Sequence, residues 1–455
     1  LIQSLREWQE AQAIAWRHQS YSYRWLCNEI DRWRQLFPQQ GVTPGRVVAL
    51  HGSYSPQVCA LLLALMENRN IIVPLTSAPE AHTQHCLKIA QAEVVFRFDE
   101  DEVWKTDRTG VGVSHPLLKQ LQESGAPGLV LFSSGSTGEP KAALHNLDSL
   151  LEKFKTRRHR LRTLAFLLLD HIGGINTLFY TLFNGGTVVS MEDRSPQSVC
   201  QAIEQYRVEM LPTSPTFLSL LLISEEHRNF DLSSLRWITY GTEPMSATTL
   251  ERLNSIFPNV RFQQTYGLSE LGILRSKSKD SSSLWVKVGG EGYETKVVDN
   301  VLWIRTRYSM LGYLNAPSPF DEEGWFNTQD VVEVEGEYLR ILGRETDIIN
   351  VGGEKVYPAQ VEGVLLGMNH VRDVTVRGQK NPILGQVVVA QFHLSKPESL
   401  DSLKRRVREY CKDKLPRYQI PARIEISDQL QSGQRFKKNR NPLVGVAGQE
   451  MEVQA

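Results

Sequence analysis

Along residues 1 to about 345, helical hydrophobic patterns alternate with short β-rich apolar runs. Gln57 to Met66 reads as a helix and Ile71 to Leu75 as the strand that follows it. Further strands are predicted at Val47 to Leu50, Val94 to Phe98, Leu129 to Phe132, Leu164 to Leu169, Thr187 to Ser190, Trp237 to Tyr240 and Arg261 to Gln264. Alternation of this kind predicts an α/β architecture with largely parallel sheets. Several of the runs end in Gly, Ser or Thr, which suits ligand loops at the carboxyl ends of parallel strands. From Leu284 to Arg340 the pattern changes to short β segments broken by turns (Trp285 to Val288, Glu294 to Val298, Val301 to Arg305, Val331 to Glu335), as in a small β-barrel or distorted sheet. After Gly343-Arg344 a stretch of roughly 110 residues, long enough for its own domain, carries strands at Val371 to Arg377 and Gln386 to His393 and an amphipathic helix near Ser402 to Lys414. The boundary is placed at 343 to 347, dividing a large α/β domain (1–343) from a small α+β domain (348–455).

A chain of 455 residues exceeds one ordinary core, which agrees with a large and a small domain. Composition removes some functions rather than adding any. The formal net charge is +0, so the chain lacks the Lys and Arg surplus on which binding to a phosphate backbone rests. No apolar run approaches the ~18 residues that cross a bilayer; Phe217 to Ile223 is of strand or buried-helix length. The five cysteines, Cys27, Cys59, Cys86, Cys200 and Cys411, lie far apart and none has the C-x-x-C spacing of a zinc or redox site. They read as free thiols, and with no leader pattern at Leu1 the expected location is the cytoplasm.

The sharpest local signal is Ser133-Ser134-Gly135-Ser136-Thr137-Gly138-Glu139-Pro140-Lys141, directly after the predicted strand Leu129 to Phe132. Backbone N–H groups in such a loop can approach phosphate oxygens, while the hydroxyls and Lys141 add donors. Taken alone the stretch could equally be a flexible surface turn. It is not the P-loop of NTPases, because G-x-x-x-x-G-K-[ST] occurs nowhere in the chain.

This loop resembles the phosphate loop of the adenylate-forming superfamily, which comprises acyl-CoA synthetases, peptide-synthetase adenylation domains and luciferases, and further motifs of that superfamily follow in order. Tyr240-Gly241-Thr242-Glu243-Pro244-Met245-Ser246 resembles the segment bordering adenine, and Gln264-Thr265-Tyr266-Gly267-Leu268-Ser269-Glu270 the Tyr-Gly-x-[ST]-Glu segment. Met310 to Asn315, Gly324 to Asp330, Gly343-Arg344 and Gly352 to Pro358 continue the series, so the resemblance spans nearly the whole chain. It implies ATP, Mg²⁺ and coenzyme A, or phosphopantetheine on an acyl or peptidyl carrier protein, as cofactors and partners. Ser133, Ser134, Gly135, Ser136, Thr137, Gly138 and Lys141 would hold phosphates, with Gly241, Thr242, Glu243, Pro244, Thr265, Tyr266 and Gly267 around the adenosine. Asp330 and Arg344 can bond the ribose, and Glu270 beside Thr265 suits a Mg²⁺ that keeps waters and bridges phosphates.

Asp428 to Arg440 fits without gaps onto the superfamily's D-x-L-P-x-T-x-x-G-K-x-x-R and places Lys437 at the catalytic position, with Lys438 as its competitor. Several positions depart from the pattern: Phe436, Gln329 and Thr242 replace glycines, Gln431 replaces a proline, and Thr346 stands at the hinge within 344–347, about which the small mobile domain is implied to swing. The acyl pocket is expected around His171, Ile172, Asn176, Gly241, Gly267 and Leu268. Amino-acid-activating relatives place an Asp in this region, where Ile172 follows His171, so an α-amino acid is disfavoured although Asp170 lies close by. The implied reaction is an AMP-forming ligation of a small carboxylic acid to CoA, with Lys437, Thr137, His171 and Glu270 as catalytic candidates. The alternatives are an enzyme that loads a carrier protein and a catalytically inactive nucleotide-binding homologue.

Overall fold

The computed structural model of the chain describes residues 1–76, 78–134 and 139–427. It forms two compact units, Leu1–Thr242 with Glu251–Ile341, and Glu243–Leu250 with Leu342–Ala455. The elements that build the site, numbered in chain order, are β1 (Gly128–Ser134), β2 (Pro140–Asn146), α1 (Ile172–Phe183), β3 (Met210–Thr213), β4 (Trp237–Tyr240), β5 (Arg261–Gln264), β6 (Gly267–Leu268), β7 (Gly312–Tyr313) and β8 (Phe326–Glu335).

The first unit holds two seven-stranded sheets and one six-stranded sheet. One large sheet runs β5, β4, β3, Arg162–Leu164, Thr187–Val189, Gln12–Trp16, Gln19–Ser22, with every pair parallel except the last. The other runs β7, β2, β1, Ile71–Leu75, Val47–His51, Val94–Phe98, Trp104–Arg108; its central pairs are parallel and its outer pairs antiparallel. The uninterrupted apolar strands follow from burial on both faces: all five residues of Ile71–Leu75 are buried. The helix Pro56–Glu67 is apolar nearly all round and lies in the core, started by Ser55 Oγ, which accepts from the Val58 amide, and by Pro56 in the first turn. The six-stranded antiparallel sheet, Ser276–Ser278, Val286–Val288, Tyr338–Arg344, β8, Val301–Thr306, Tyr293–Val298, is the expected small β part, and its order has no closing pair among the described residues.

Of two apolar runs, Leu164 to Leu169 departs from its expected form and Phe217 to Ile223 takes one of the two forms its length allows. Strand pairing stops at Leu164, and the rest of the predicted strand to Leu169 is a loop in which Ala165, Phe166 and Leu169 are buried. The loop is fixed by the start of α1, where a Cβ on Gly174 would lie 1.9 Å from the Leu168 carbonyl oxygen. Phe217 to Ile223 falls within a helix, Pro215–Ser224, capped by Ser214. Both runs are largely buried, and burial alone does not choose between strand, helix and loop. All five cysteines are free and buried, and burial pushes the Cys59 and Cys200 thiols up to about 12. No helix among the described residues is long and apolar enough to cross a membrane.

In the second unit Gly385–Leu394 pairs with Val371–Asn381, Ile349–Val351 and Arg423–Ile426, and Glu354–Val356 pairs with Ile349–Val351. Helices Pro358–Leu365 and Leu400–Cys411 contribute Val361, Leu365, Leu403 and Val407 to a core belonging to this unit alone.

Candidate active site

In a strand, alternate residues face the same side, and that period builds a cavity of about 250 Å³ in the first unit. Its wall is Met210 and Pro212 from β3, Trp237 and Thr239 from β4, and Arg261 and Gln263 from β5, continued past the strand ends by Gly241 and Thr265. The opposite wall is one face of α1, Ile172, Gly173, Asn176, Thr177 and Tyr180, at the spacing of helix turns. Asn176 is fixed from behind: Lys153 Nζ donates to its Oδ1 at 2.7 Å and to the Ile273 carbonyl at 2.8 Å. Burial of that amine pulls the lysine down to about 7.

One end of the cavity lies at the carboxyl ends of β4 and β5, where ligands of open α/β sheets bind. Here Thr265 donates both its amide and its hydroxyl to the Tyr240 carbonyl, at 2.7 and 3.1 Å. Gly241 must be glycine, because a Cβ there would meet Thr265 Oγ1 at 2.6 Å and its carbonyl oxygen at 2.7 Å. The next residue, Thr242, has φ +74°, a conformation that strains a β-branched side chain. His171 caps α1, its Nδ1 accepting from the Gly173 amide at 3.4 Å.

Between the two cavity residues Thr265 and Gly267, Tyr266 turns the other way. Its ring is buried with Leu271, Val286 and Ile304, and its hydroxyl donates to Asp330 Oδ2 at 2.5 Å. Asp330 sits in a bulge of β8, where the pairing steps from Val301↔Val331 to Trp303↔Asn327. The bulge is closed by Asn327 Oδ1 accepting from the Gln329 amide at 2.8 Å and Thr328 Oγ1 accepting from the Asp330 amide at 3.1 Å. Gln329 takes φ +59° inside it, which is why glycine suits that position.

A second group is organised by β1, β2 and β7. Ser133 and Lys141 face each other across the β1–β2 hairpin, with Pro140 opposite Ser134. Asn315 clamps the hairpin near its turn: its Oδ1 accepts from the Ala142 amide at 3.0 Å and its Nδ2 donates to the Pro140 carbonyl at 2.8 Å. Lys141 Nζ lies 5.4 Å from the centre of the Tyr313 ring, whose hydroxyl donates to Glu270 Oε1. The Glu270 backbone is held from both sides, its carbonyl accepting from the Met310 amide at 2.8 Å and the adjacent Ser269 carbonyl lying 2.6 Å from His145 Nε2. A carbonyl partner makes Nε2 the protonated nitrogen. Complete burial pulls His145 down to about 4.

The predicted residues therefore fall into three sets. His171, Ile172, Asn176, Gly241, Thr242, Thr265 and Gly267 line one cavity. Tyr266 and Asp330 form one bonded pair; Lys141 and Glu270 flank Tyr313, with Ser133 opposite Lys141 in the hairpin. Leu268 does not line the cavity; strand alternation after Gly267 turns it into the cluster around Tyr266. Asp170 also lies outside the lining and accepts from Thr76 Oγ1 at 2.7 Å. Glu243, Pro244, Arg344 and Thr346 belong to the second unit, where Arg344 precedes a 3₁₀ turn over Glu345–Asp347. Gly135, Ser136, Thr137, Gly138, Lys437, Lys438 and Arg440 lie outside the described residues. Tyr313 and Asn315, which brace Glu270 and the hairpin, fall in the motif Met310 to Asn315 with no role assigned from sequence; His145 and the far lining, Arg158, His159, Trp237 and Arg261, were missed by sequence reasoning.

A cavity reaching the carboxyl ends of parallel strands suits a ligand-binding enzyme of the open α/β class. The chain matches the AMP-binding enzyme family over residues 1–314 and the AMP-binding enzyme C-terminal domain over residues 360–437, and it belongs to that family. It is similar to a 2-succinylbenzoate–CoA ligase of Bacillus subtilis, 29% identical over 77% of this chain and 74% of the relative. It is also similar to an indoleacetate–CoA ligase of Aromatoleum aromaticum, 26% identical over 92% of this chain and 91% of the relative. Its fold is that of the anthranilate CoA ligase AuaEII in complex with anthranoyl-AMP, with a TM-score of 0.83 over 96% of this chain and 95% of that one, at 19% identity.

Proposed function

We infer that the protein is an AMP-forming ligase that activates a carboxylic acid with ATP as its acyl-adenylate and transfers the acyl group to the thiol of CoA. The observation that carries this reading is the cavity ending at Gly241, Thr265 and Gly267, with Tyr266 between the last two bound to Asp330. An acyl group in the cavity would present its carboxylate at the strand ends, beside the segment proposed to bind the nucleotide. Relatives named as acid–CoA ligases, matched over most of their length, support the same reaction.

In the first half-reaction a carboxylate oxygen attacks the α-phosphorus of ATP and pyrophosphate leaves with the bonding electron pair. Such chemistry asks for positioning and charge neutralisation rather than a covalent intermediate on the enzyme. Ser133, Ser134, Gly135, Ser136, Thr137, Gly138 and Lys141 would bind the phosphates, and Asp330 and Arg344 the ribose hydroxyls. Lys437 would meet the charge growing between carboxylate and α-phosphate; the C-terminal-domain match runs to that residue. His171 would border the carboxylate.

Glu270 fits a magnesium ion: it is half-buried, Tyr313 engages one of its oxygens, and the other has no protein donor among the described residues. A magnesium ion there would keep several waters and be shared with phosphates. When bound, that ion would offset phosphate charge. In the second half-reaction the thiol attacks the acyl carbon and AMP leaves. We propose that residues 348–455 act as a mobile domain, turning at 344–347 to withdraw Lys437 between the two steps. The left-handed backbone of Gly343, at φ +146° with nothing within 4 Å of a Cβ, supports a hinge beside it.

The test is acid-dependent exchange of pyrophosphate into ATP, followed by thioester formation with CoA. Exchange with a carboxylic acid and acid-dependent loss of free CoA thiol are expected. No exchange across a broad acid panel would reject the ligase in favour of an inactive nucleotide-binding protein. Thioester only on a pantetheinylated carrier protein would replace CoA as the acceptor.

A further inference from the structure

The far end of the cavity, at the amino ends of β3 to β5, is lined by Arg158, His159, Trp237 and Arg261. Arginine is abundant here: residues 156–162 read Thr-Arg-Arg-His-Arg-Leu-Arg. Most of these guanidinium groups are committed elsewhere. Arg157 pairs with Glu7 at 2.5 Å, Arg160 lies over the Trp8 ring, and Arg162 donates to Gln12 and to the Tyr206 carbonyl. Arg236 pairs with Glu209 at 3.3 Å and covers Trp237. The two that line the cavity are different: among the described residues neither the Arg158 nor the Arg261 side chain has an acidic partner or a hydrogen bond. Glu209, the acid nearest in sequence to the lining residue Met210, is occupied by Arg236 and by the Arg162 amide.

We propose that the acid activated by this enzyme carries a second anionic group, at the end opposite the carboxylate that is adenylated, and that Arg158 and Arg261 bind it. The inference rests on the acid-activating reading above and narrows its substrate class. A guanidinium recognises a carboxylate or another oxyanion through paired N–H donors. Exposed at the rim of a cavity walled by Ile172, Tyr180, Met210 and Trp237, these two guanidinium groups keep N–H donors available to a ligand.

Two rulers give the separation. From Thr265 to Arg261 is four strand steps, about 13 Å at ~3.3 Å per residue. From His171 to Tyr180 is nine helix steps, about 13.5 Å at ~1.5 Å per residue. Because the arginine side chains extend from these backbone positions, the two anionic groups of the acid would lie at or somewhat under that separation. An extended dicarboxylic acid, or an aryl acid bearing a carboxylate on a side arm, has this shape.

The experiment measures pyrophosphate exchange by the full chain with linear dicarboxylic acids of graded length, each beside its monomethyl ester. The expected kcat/KM is roughly tenfold higher for the diacid than for its ester, as one charge-assisted contact at a partly solvated rim provides. The preference should peak at one chain length. Arg158→Gln and Arg261→Gln should each bring the diacid-to-ester ratio close to one, raising KM for the diacid more than they lower kcat. Arg261→Lys, which keeps the charge and serves if Arg261→Gln fails to fold, should retain part of the preference. Esters activated as well as diacids at every length, with ratios unmoved by either glutamine substitution, would overturn the inference and leave acid activation intact. Exchange with no member of either series, in protein that still binds ATP, would remove the underlying reaction and this inference with it.

Discussion

The two ends of the cavity are built on opposite terms. Around the carboxyl ends of β4 and β5 the groups assigned to the reaction are braced by neighbours: Thr265 by the Tyr240 carbonyl, Asp330 by Tyr266, one Glu270 oxygen by Tyr313, and the Ser269 carbonyl by His145. At the amino ends of the same strands Arg158, His159 and Arg261 are exposed, and the two arginines are unpaired among the described residues. Groups that must meet a transition state within a fraction of an ångström need bracing by neighbours, because small displacements are costly there. A group that grips the distal end of a substrate can remain mobile in water. The contrast separates reaction type, set at the braced end, from acid preference, set at the open one.

The largest effect expected on the braced end comes from Lys437→Ala. Exchange should fall by roughly 10²–10³-fold, the scale of losing one charged partner of a developing oxyanion. Reaction of a supplied acyl-adenylate with CoA should persist. Lys438→Ala should leave exchange in place; loss on Lys438→Ala rather than Lys437→Ala, in the same assay, would move the role by one position.

Next in size is a pH effect. His145 has its folded value depressed to about 4 from 6.5 because it is buried. Between those values the unfolded chain binds the proton and the folded one does not, so stability is intact above pH 6.5 and declines as pH falls toward 4. The contribution is about 3 kcal/mol, at ~1.36 kcal/mol for each pH unit separating the folded from the unfolded value. Urea midpoints measured across this range should show the decline, and His145→Gln should flatten it. A slope unchanged in the variant would mean that other groups carry it.

A smaller effect is expected from Tyr313→Phe, which removes the hydroxyl bonded to Glu270 and leaves the ring beside Lys141. Exchange should drop about tenfold, equivalent to the ~1.5 kcal/mol of a hydrogen bond to a charged group, with the apparent magnesium requirement shifted upward. An unaltered magnesium titration would dissociate Tyr313 from the ion site.

How much of this was legible in the sequence follows the same division. The braced end is written in contiguous residues, because one loop or strand end carries several of its groups at once: 133 to 141, 264 to 270, 324 to 330. The open end is assembled from alternate positions of three strands and from residues before α1, and no local motif records it. Arg261 was legible as the start of a strand, but its place in a cavity depends on its pairing with Trp237, some 24 positions away. The motif position of Leu268 points to the pocket, whereas strand alternation turns its side chain into the cluster around Tyr266. The loop after Leu164 read as strand because burial, not pairing, set its composition. Thr242 and Gln329 stand out in sequence as replacements of glycine, and the structure supplies the reason in their φ of +74° and +59°.

Those two positions give the smallest prediction and the most local one. Gln329→Gly should stabilise the first unit by ~0.5–1 kcal/mol, the strain released exceeding the added entropy of the unfolded chain. Thr242→Gly should do the same and also enlarge the cavity beside Gly241. Equilibrium unfolding reads the first effect, and the length of the best-exchanged acid reads the second.

The central claim is that an acid lying between α1 and strands β3 to β5 is adenylated at the carboxyl ends of those strands. A crystal structure of the protein with a hydrolysis-resistant acyl-adenylate tests it most directly. The account predicts the acyl group against Asn176, Thr239 and Gln263, the ribose hydroxyls on Asp330, and the phosphate near Lys141. An acyl group outside this cavity, or a ribose remote from Asp330, would contradict it.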